Sequence, residues 1–360
     1  MNSQLSRRDF LKVGGLAASS LAFPPFLPNL TDFDDSNVIR IATKEMPVYR
    51  QPTDKEGPPV ARWLRDDLVH IYQEVRAKDG EPRHNPIWYR VWGGYMHRGR
   101  VQRVRTIYQQ PLSFIPEASR RLAEVSTPWT EPYRYTKTYG WQPLGYRLYY
   151  QSVHWLEAVE EGPQDTGYDG PWYRIYDELI GYPYHVPAMH LRPLPLDVFD
   201  PITPDIPWEE KLIEVNLSTQ TLAAYEYGKV VFQTSVSTGI PGGGESGVGG
   251  LSTTTPSSPK GKFFEIMEKV PSKHMGNGNL FGDVDDYELP GVPWTSFFTA
   301  VGHAFHGTYW HENFGTPMSH GCVNMRTNDA NWIFRWARPP HTTDAISNHS
   351  ARGTMVEIHY

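Results

Sequence analysis

The four residues Trp88-Tyr89-Arg90-Val91 return 84 positions later as Trp172-Tyr173-Arg174-Ile175. No other feature restricts the fold of this chain as strongly. The same offset superimposes Tyr49-Arg50 on Tyr133-Arg134, Val69-His70 on Val153-His154, and Val75 on Val159. One register held over so many positions implies two copies of a single structural unit. Within each copy, aromatic and β-branched residues run in short stretches broken by Gly, Pro and charged turns, as at Asp54–Pro59 and Gly162–Gly170. That pattern predicts strands rather than helices. Gly and Pro, at 31 and 32 residues, and aromatics at 13% extend the reading to the whole chain. It is mainly β, rich in turns and too aromatic to be disordered. Most of the aromatics in the copies are expected to be core.

The copies are placed at 38–105 and 120–193. Small closed barrels fit them, because a closed sheet needs no helices and fills its interior with aromatics. They resemble bacterial SH3-like modules, which are often attached to cell-wall enzymes. The run of Pro193, Pro195, Pro201, Pro204 and Pro207 predicts a stiff linker over 194–208. A third domain is expected over 209–360, in keeping with two or three domains for 360 residues.

The first residues read as an address rather than as structure. Ser6-Arg7-Arg8-Asp9-Phe10-Leu11-Lys12 resembles the twin-arginine export motif, and Val13 to Thr31 carries no charge. An export signal over 1–31 implies passage through the twin-arginine machinery and action outside the cytoplasmic membrane. The segment has no clear A-x-A cleavage site and no lipobox cysteine. Contact with the membrane is expected only through this signal if it is retained. A net charge of −6 and a pI near 6.2 argue against nucleic acid as a partner.

The third domain opens as strand, turn and hairpin: Leu212 to Leu217, Ser218-Thr219-Gln220, Thr221 to Tyr227, a tight turn at Gly228-Lys229, then Val230 to Val236. Gly239 to Gly250 reads as a loop, and it lacks the Lys-Ser/Thr ending of a phosphate loop. Phe263 to Met267 and Met355 to His359 are predicted strands. Asn328 is a predicted N-cap for a helix carrying Ala330, Ile333, Phe334 and Ala337 at helical spacing, ended by Pro339.

The chemistry is concentrated in His306-Gly307-Thr308-Tyr309-Trp310 and Ser319-His320-Gly321-Cys322-Val323-Asn324-Met325. Cys322 is the single cysteine, which excludes an internal disulfide framework and Cys-rich metal sites. A thiol with a pKa of about 8.5 is only a few per cent thiolate at neutral pH. An adjacent imidazolium would lower that value, and His306 and His320 are both available. Gly321 permits a sharp turn and leaves backbone N–H groups near Cys322 uncrowded, as an oxyanion site requires. His303, His306, His311, His320 and Cys322 could be weighed as metal ligands, but their spacing matches no standard zinc pattern. No metal and no cofactor are expected.

An upstream His-Gly followed by Ser/Thr-His-Gly-Cys-x-Asn resembles the signature of the L,D-transpeptidases, and the resemblance covers roughly Lys211 to Tyr360. It implies a mostly β catalytic domain with a helix after the nucleophile, acting on peptidoglycan stem peptides. It also implies Cys322 as nucleophile and His306 as proton donor and acceptor, oriented by the Gly307 carbonyl. His320 is expected to support the oxyanion loop and Gly321 to supply a backbone oxyanion donor. Ser319 and Asn324 are expected to pin the loop and, with Tyr309 and Trp310, to contact substrate. Tyr287, Trp294, Phe297, Phe298, Tyr309 and Trp310 could line a peptide cleft or be core. The segment from His274 to Trp294 is not required by the motif. Hydrolysis of the same thioester, as in an L,D-carboxypeptidase, is the alternative within enzymes. A non-catalytic wall-binding protein is the alternative outside them.

Overall fold

The computed structural model describes residues 37–240, 262–276, 278, 280, 288–341, 345–349 and 352–360. The proposed export signal, most of the Gly-rich stretch and Tyr287 lie outside them. The described residues are mainly β with one α-helix, Thr327–Trp336, and no helix among them is long and apolar enough to cross a membrane.

The repeated tetrapeptides occupy equivalent positions. Ile87–Val91 and Trp172–Tyr176 are both strands, with the Trp, Tyr and aliphatic residue buried and the Arg half-buried in each. The strands of the first copy, from Val38 to Val104, enclose Ile39, Ile41, Val48, Tyr89, Val91 and Met96. They form two three-stranded sheets and a hairpin, whereas most strands of the second copy join one seven-stranded sheet. The copies thus share a core tetrapeptide but not the same sheet connectivity.

From Lys211 onward the chain builds two five-stranded sheets around the helix. In the first, Lys229–Ser235, Thr221–Glu226, Lys211–Asn216, Met355–His359 and Lys262–Glu265 lie in that order. The second runs Val323–Met325, Ala304–Gly307, Leu289–Phe297, Glu268–Met275 and Asn348–His349. Ala330, Ile333, Phe334 and Trp336 of the helix share one core with Ile213 and Val215 of the first sheet and Trp294, Phe305, Val323 and Met325 of the second. The long stretch before Trp294 is therefore partly structural, because Leu289–Phe297 is the central strand beside the motif.

Two boundaries differ from the sequence expectation. The hairpin turn falls on Tyr227 and Gly228, at φ 49° and 70°, and Glu226 pairs with Lys229. Two successive left-handed residues match the strand twist better than a turn one position later. The helix begins at Thr327, with Arg326 as N-cap and no side-chain cap bond, so Asn328 lies within its first turn. At the other end, two buried lysines cap it. Lys211 Nζ donates to the carbonyls of Trp336 and Thr203 at 2.9 and 3.0 Å, and Lys269 Nζ to those of Ala337 and Pro339 at 2.9 and 2.7 Å. These donors meet the negative end of the helix dipole, while burial pushes Lys211 down to about 8 and holds Lys269 well below its ordinary value.

The Pro-rich segment is not a free spacer. Leu194 and Phe199 are buried in the core of the third domain together with Leu122, Val153 and Trp155 of the second copy. Phe199 packs edge-on against Trp294 at 5.9 Å. Ser272 Oγ donates to the Val153 carbonyl at 2.6 Å, and Lys273 pairs with Glu178 at 2.8 Å. The fully buried His274 bridges Asp177 of the second copy, at 2.8 Å, and Glu288. The first copy joins through Arg40, which donates to the Tyr309 carbonyl at 3.3 Å, and Tyr89, whose hydroxyl donates to Glu312 at 3.2 Å.

Burial sets an acid limit on this assembly. It pushes His154, His190 and His306 down to about 4 and His311 down to about 3. These histidines are neutral in the fold, whereas the unfolded chain protonates near 6.5. Each can withdraw up to about 1.4 kcal/mol of stability per pH unit as pH falls from 6.5 toward the folded value. His274 acts in the opposite sense: burial pulls it down, but bonds to Asp177 and Glu288 outweigh this and hold it above its ordinary value. Its contribution is complete below the unfolded value and fades as pH rises through the folded one. His84, His97 and His185 are lowered by burial as well, and His359 is raised like His274. The lowered histidines outnumber the raised ones, so thermal midpoints recorded by circular dichroism should drop steeply from pH 6.5 to 4. A flat profile would contradict the neutral buried histidines.

Candidate active site

Ala304–Gly307 and Val323–Met325 pair in parallel, with Phe305 opposite Val323, His306 opposite Asn324 and Gly307 opposite Met325. Extending the register by one residue sets Cys322 beside Ala304. Alternate residues of a strand share a face, so His306 and Cys322 belong to the same face of this pair. Two residues along and one strand across corresponds to about 8 Å between Cα atoms, which side chains span.

His306 is 1% exposed, and its Nδ1 lies 3.0 Å from the Gly307 carbonyl. A carbonyl only accepts, so Nδ1 carries the proton and Nε2 keeps its lone pair. Trp310 lies over the ring, with centroids 5.7 Å apart. Gly307 has no room for a side chain, because a Cβ would sit 2.7 Å from Pro293 Cγ and 3.0 Å from Thr327 Cα.

Cys322 is half-buried, and its thiol donates to the Gly302 carbonyl at 3.6 Å. Burial pushes the thiol up to about 11 against the opposing effect of the Ala304 backbone N–H. With His306 near 4, the resting pair is neutral thiol and neutral imidazole. The expected thiolate–imidazolium pair is not the resting state, because burial penalises both charges.

The turn carrying Cys322 is held by Ser319. Its Oγ donates to the Cys322 carbonyl at 2.5 Å and accepts the Gly321 N–H at 3.1 Å. That N–H is therefore engaged at rest, which corrects its expected role as an open oxyanion donor. Gly321 has φ 149°, which side-chain-bearing residues rarely adopt. Beneath the turn, Thr238 O accepts the N–H groups of Met318 and Ser319 at 2.9 and 3.2 Å, and Ser237 exchanges both backbone bonds with Asn324 at 2.8 and 3.0 Å. Ser237 and Thr238 lie outside the motif. The only signal for them was their place just before the Gly-rich stretch.

Asn324 faces inward. Its amide lies 2.9 Å from His311 Nε2, while His311 Nδ1 accepts the Asn313 N–H at 3.2 Å. A neutral imidazole with Nδ1 accepting must donate from Nε2, so the amide oxygen is the atom that faces it.

The substrate contacts expected of Ser319, Asn324 and Tyr309 do not match their surroundings. Ser319 and Asn324 are buried, with the Ser319 hydroxyl bonded within the turn and the Asn324 amide against His311. Tyr309 is core: its hydroxyl donates to the Pro290 carbonyl at 2.9 Å and its ring packs near Tyr149. Trp294 and Phe298 are buried as well, and Phe297 is half-buried. Trp310 is half-buried beside His306, and His320 is exposed next to the turn. The clustered histidines have separate partners, since His303 bonds Thr299, His306 bonds Gly307 and His311 bonds Asn324.

Residues 210–358 match the family model of the L,D-transpeptidase catalytic domain, YkuD. A search of curated proteins gave no match. Among solved structures, the chain is similar to an L,D-transpeptidase from Xylanimonas cellulosilytica, at 26% identity over 41% of this chain and 60% of that one, TM-score 0.28. It is also similar to the Enterococcus faecium L,D-transpeptidase, at 21% over 41% and 49%, TM-score 0.29. L,D-transpeptidase 3 from Mycobacterium tuberculosis, in complex with a faropenem-derived adduct, matches at 19% over 42% and 60%, TM-score 0.29. The chain spans about half to three fifths of the length of these proteins. Residues 210–358 of this chain are an L,D-transpeptidase catalytic domain of the YkuD type.

Proposed function

We propose that the protein is an exported L,D-transpeptidase that cross-links peptidoglycan stem peptides outside the cytoplasmic membrane. What supports this reading is the register of the parallel pair, which extended by one residue would bring Cys322 to the face of His306, together with the commitment of the His306 Nδ1–H to the Gly307 carbonyl. The two repeats are read as SH3-like modules that position the enzyme at the wall, and residues 1–31 as its twin-arginine export signal.

Because thiol and imidazole are both neutral at rest, proton transfer accompanies attack. His306 Nε2 takes the Cys322 proton as sulfur bonds to the carbonyl carbon preceding the terminal D-Ala of a stem tetrapeptide. The backbone N–H of Cys322 is the proposed oxyanion donor, with His320 supporting that loop. The C–N bond then breaks, the imidazolium returns the proton to the departing D-Ala amine, and a thioester remains. An acceptor amine attacks the thioester, His306 takes the amine's proton, and the thiol is restored.

Intact-mass measurement of the full chain with a stem tetrapeptide tests this reading. An adduct of the tripeptide acyl group on Cys322 that disappears on adding an acceptor amine is expected, and an unacylated protein that releases no D-Ala would overturn it. The two histidines separate in the same assay. His306→Gln should slow acylation by about 10²–10⁴-fold, the usual range for a lost general base. His320→Ala should cost far less, and the reverse order would exchange their roles.

A further inference from the structure

The loop from Thr308 to Ser319 joins the strand of His306 to the turn of Cys322, and the first repeat grips it at Asn313. Asn85 is fully buried where that repeat meets the loop. Its Oδ1 accepts from Arg98 Nε at 2.6 Å, and its backbone carbonyl accepts from His97 Nε2 at 2.7 Å. A guanidinium only donates, so Oδ1 is fixed on that side and Nδ2 faces the loop. There it donates to Asn313 Oδ1 at 3.0 Å. The Asn313 amide is oriented in turn, with its Nδ2 directed at Met318 Sδ at 3.4 Å.

From Asn313 the contacts run to both sides of the thiol. Met318, which the amide touches, donates its N–H to the Thr238 carbonyl and precedes Ser319, whose hydroxyl holds the Cys322 carbonyl. The backbone N–H of Asn313 donates to His311 Nδ1 at 3.2 Å, and His311 Nε2 lies 2.9 Å from the Asn324 amide. The Asn313 carbonyl accepts the Ser237 hydroxyl at 2.9 Å, and Ser237 exchanges both backbone bonds with Asn324. These routes leave one residue and close on Ser319 and Asn324, which bracket Cys322. The repeated core does not itself require a buried amide at this position. The 84-residue offset that carries Trp88 onto Trp172 carries Asn85 onto Asp169, which is exposed.

We infer that Asn85 of the first repeat is a positioning residue for Cys322, and that through Asn313 it fixes the loop that sets how deeply the thiol is held. Asn85 acts through the loop and not on the reacting atoms. The first repeat is then part of the catalytic unit as well as a module attached to it. The inference rests on Cys322 being the nucleophile of the proposed transpeptidase, but its test reads the thiol directly and stands whether or not the chain releases D-Ala. Contacts in series show a route, and only coupling between its members shows that the route carries energy.

The two asparagines separate by their atoms. Asn85→Asp keeps the acceptor for Arg98 but sets an oxygen against Asn313 Oδ1, so the grip should fail. Asn313→Asp keeps the oxygen that Asn85 Nδ2 reaches, so the grip should hold. The measurement is the pH profile of Cys322 alkylation in the full chain, followed by intact mass, with melting curves recorded alongside. A turn without its support admits water to a thiol that burial holds near 11, and moves it toward the free value of about 8.5. A drop of one unit gives tenfold more thiolate at neutral pH, so Asn85→Asp should be alkylated about tenfold faster than wild type or more. Asn313→Ala breaks the same bond from the half-buried loop side and should do likewise. The double variant Asn85→Asp/Asn313→Ala should be no faster than the faster single one, as for groups acting in series. Asn313→Asp should keep the wild-type profile. Val69→Ala, in the first repeat's own core, should lower the thermal midpoint and leave the profile in place, which a purely structural role for Asn85 would also do. A wild-type profile in Asn85→Asp or in Asn313→Ala, or an equal shift in Val69→Ala or Asn313→Asp, would overturn the inference.

Discussion

Replacing Cys322 with Ala is expected to reduce D-Ala release from a stem tetrapeptide by roughly a thousandfold or more, as removal of a nucleophile does in comparable acyl transfers. The thermal midpoint should hardly move. The thiol is half-buried and meets only backbone groups, the Gly302 carbonyl at 3.6 Å and the Ala304 N–H, while the turn is held by Ser319, Thr238 and the strand pair. Turnover is measured by the liberated amine and the fold by the melting curve. A variant that keeps near-normal turnover would exclude a cysteine thioester. An independent check is alkylation of wild-type Cys322, which should be slower at neutral pH than that of a free thiol and should climb toward alkaline pH, because burial holds the thiol near 11.

A fragment beginning at Trp208 is expected to lose its fold, although residues 210–358 match the catalytic-domain family model. Truncation there would strip Leu122, Val153, Trp155, Leu194 and Phe199 from the core shared with Ile213, Trp294 and Phe334. Deleting one large buried side chain typically costs about 2–5 kcal/mol, and whole-domain stability is about 5–15 kcal/mol. Removing five such groups therefore exceeds what the fragment can supply. Trp155→Ala in the full chain is the graded version and should lower stability by about 3–5 kcal/mol with Cys322 chemistry intact in the folded fraction. A soluble fragment with a wild-type melting curve would show that the shared core is dispensable.

The sequence made local pattern legible and left long-range packing hidden. The 84-residue offset located strands whose Trp and Tyr are buried alike, and alternating apolar residues located Lys211–Asn216 and Thr221–Glu226. Those signals arise within a few residues. The docking of the Pro-rich segment could not be read this way, because a buried Phe199 among prolines looks no different from an exposed one until Trp294 is beside it. Tyr309 was ambiguous for the same reason: next to the catalytic His-Gly it reads equally as a cleft residue, and only its partners Pro290 and Tyr149 decide. The neutral resting pair also escaped notice, since residue types suggest an imidazolium and only burial reverses that. The motif itself was legible because Gly307, Gly321 and Ser319 each answer a local steric or hydrogen-bond requirement.

The strand Met355–His359 lies inside its sheet, between Lys211–Asn216 on one side and Lys262–Glu265 on the other. During synthesis the ribosome delivers its two neighbours long before it. Until residues 355–359 emerge, the backbone groups of Lys211–Asn216 that will pair with them have no strand to meet, and Lys262–Glu265 has no place in the sheet. Pairings this distant along the chain form slowly, because a large loop must close before any contact is gained. The catalytic sheet is therefore completed after translation of this region, as one late event. A nascent chain arrested shortly before Met355 should present an open sheet edge to chaperones, whereas one extended well past Tyr360 should not.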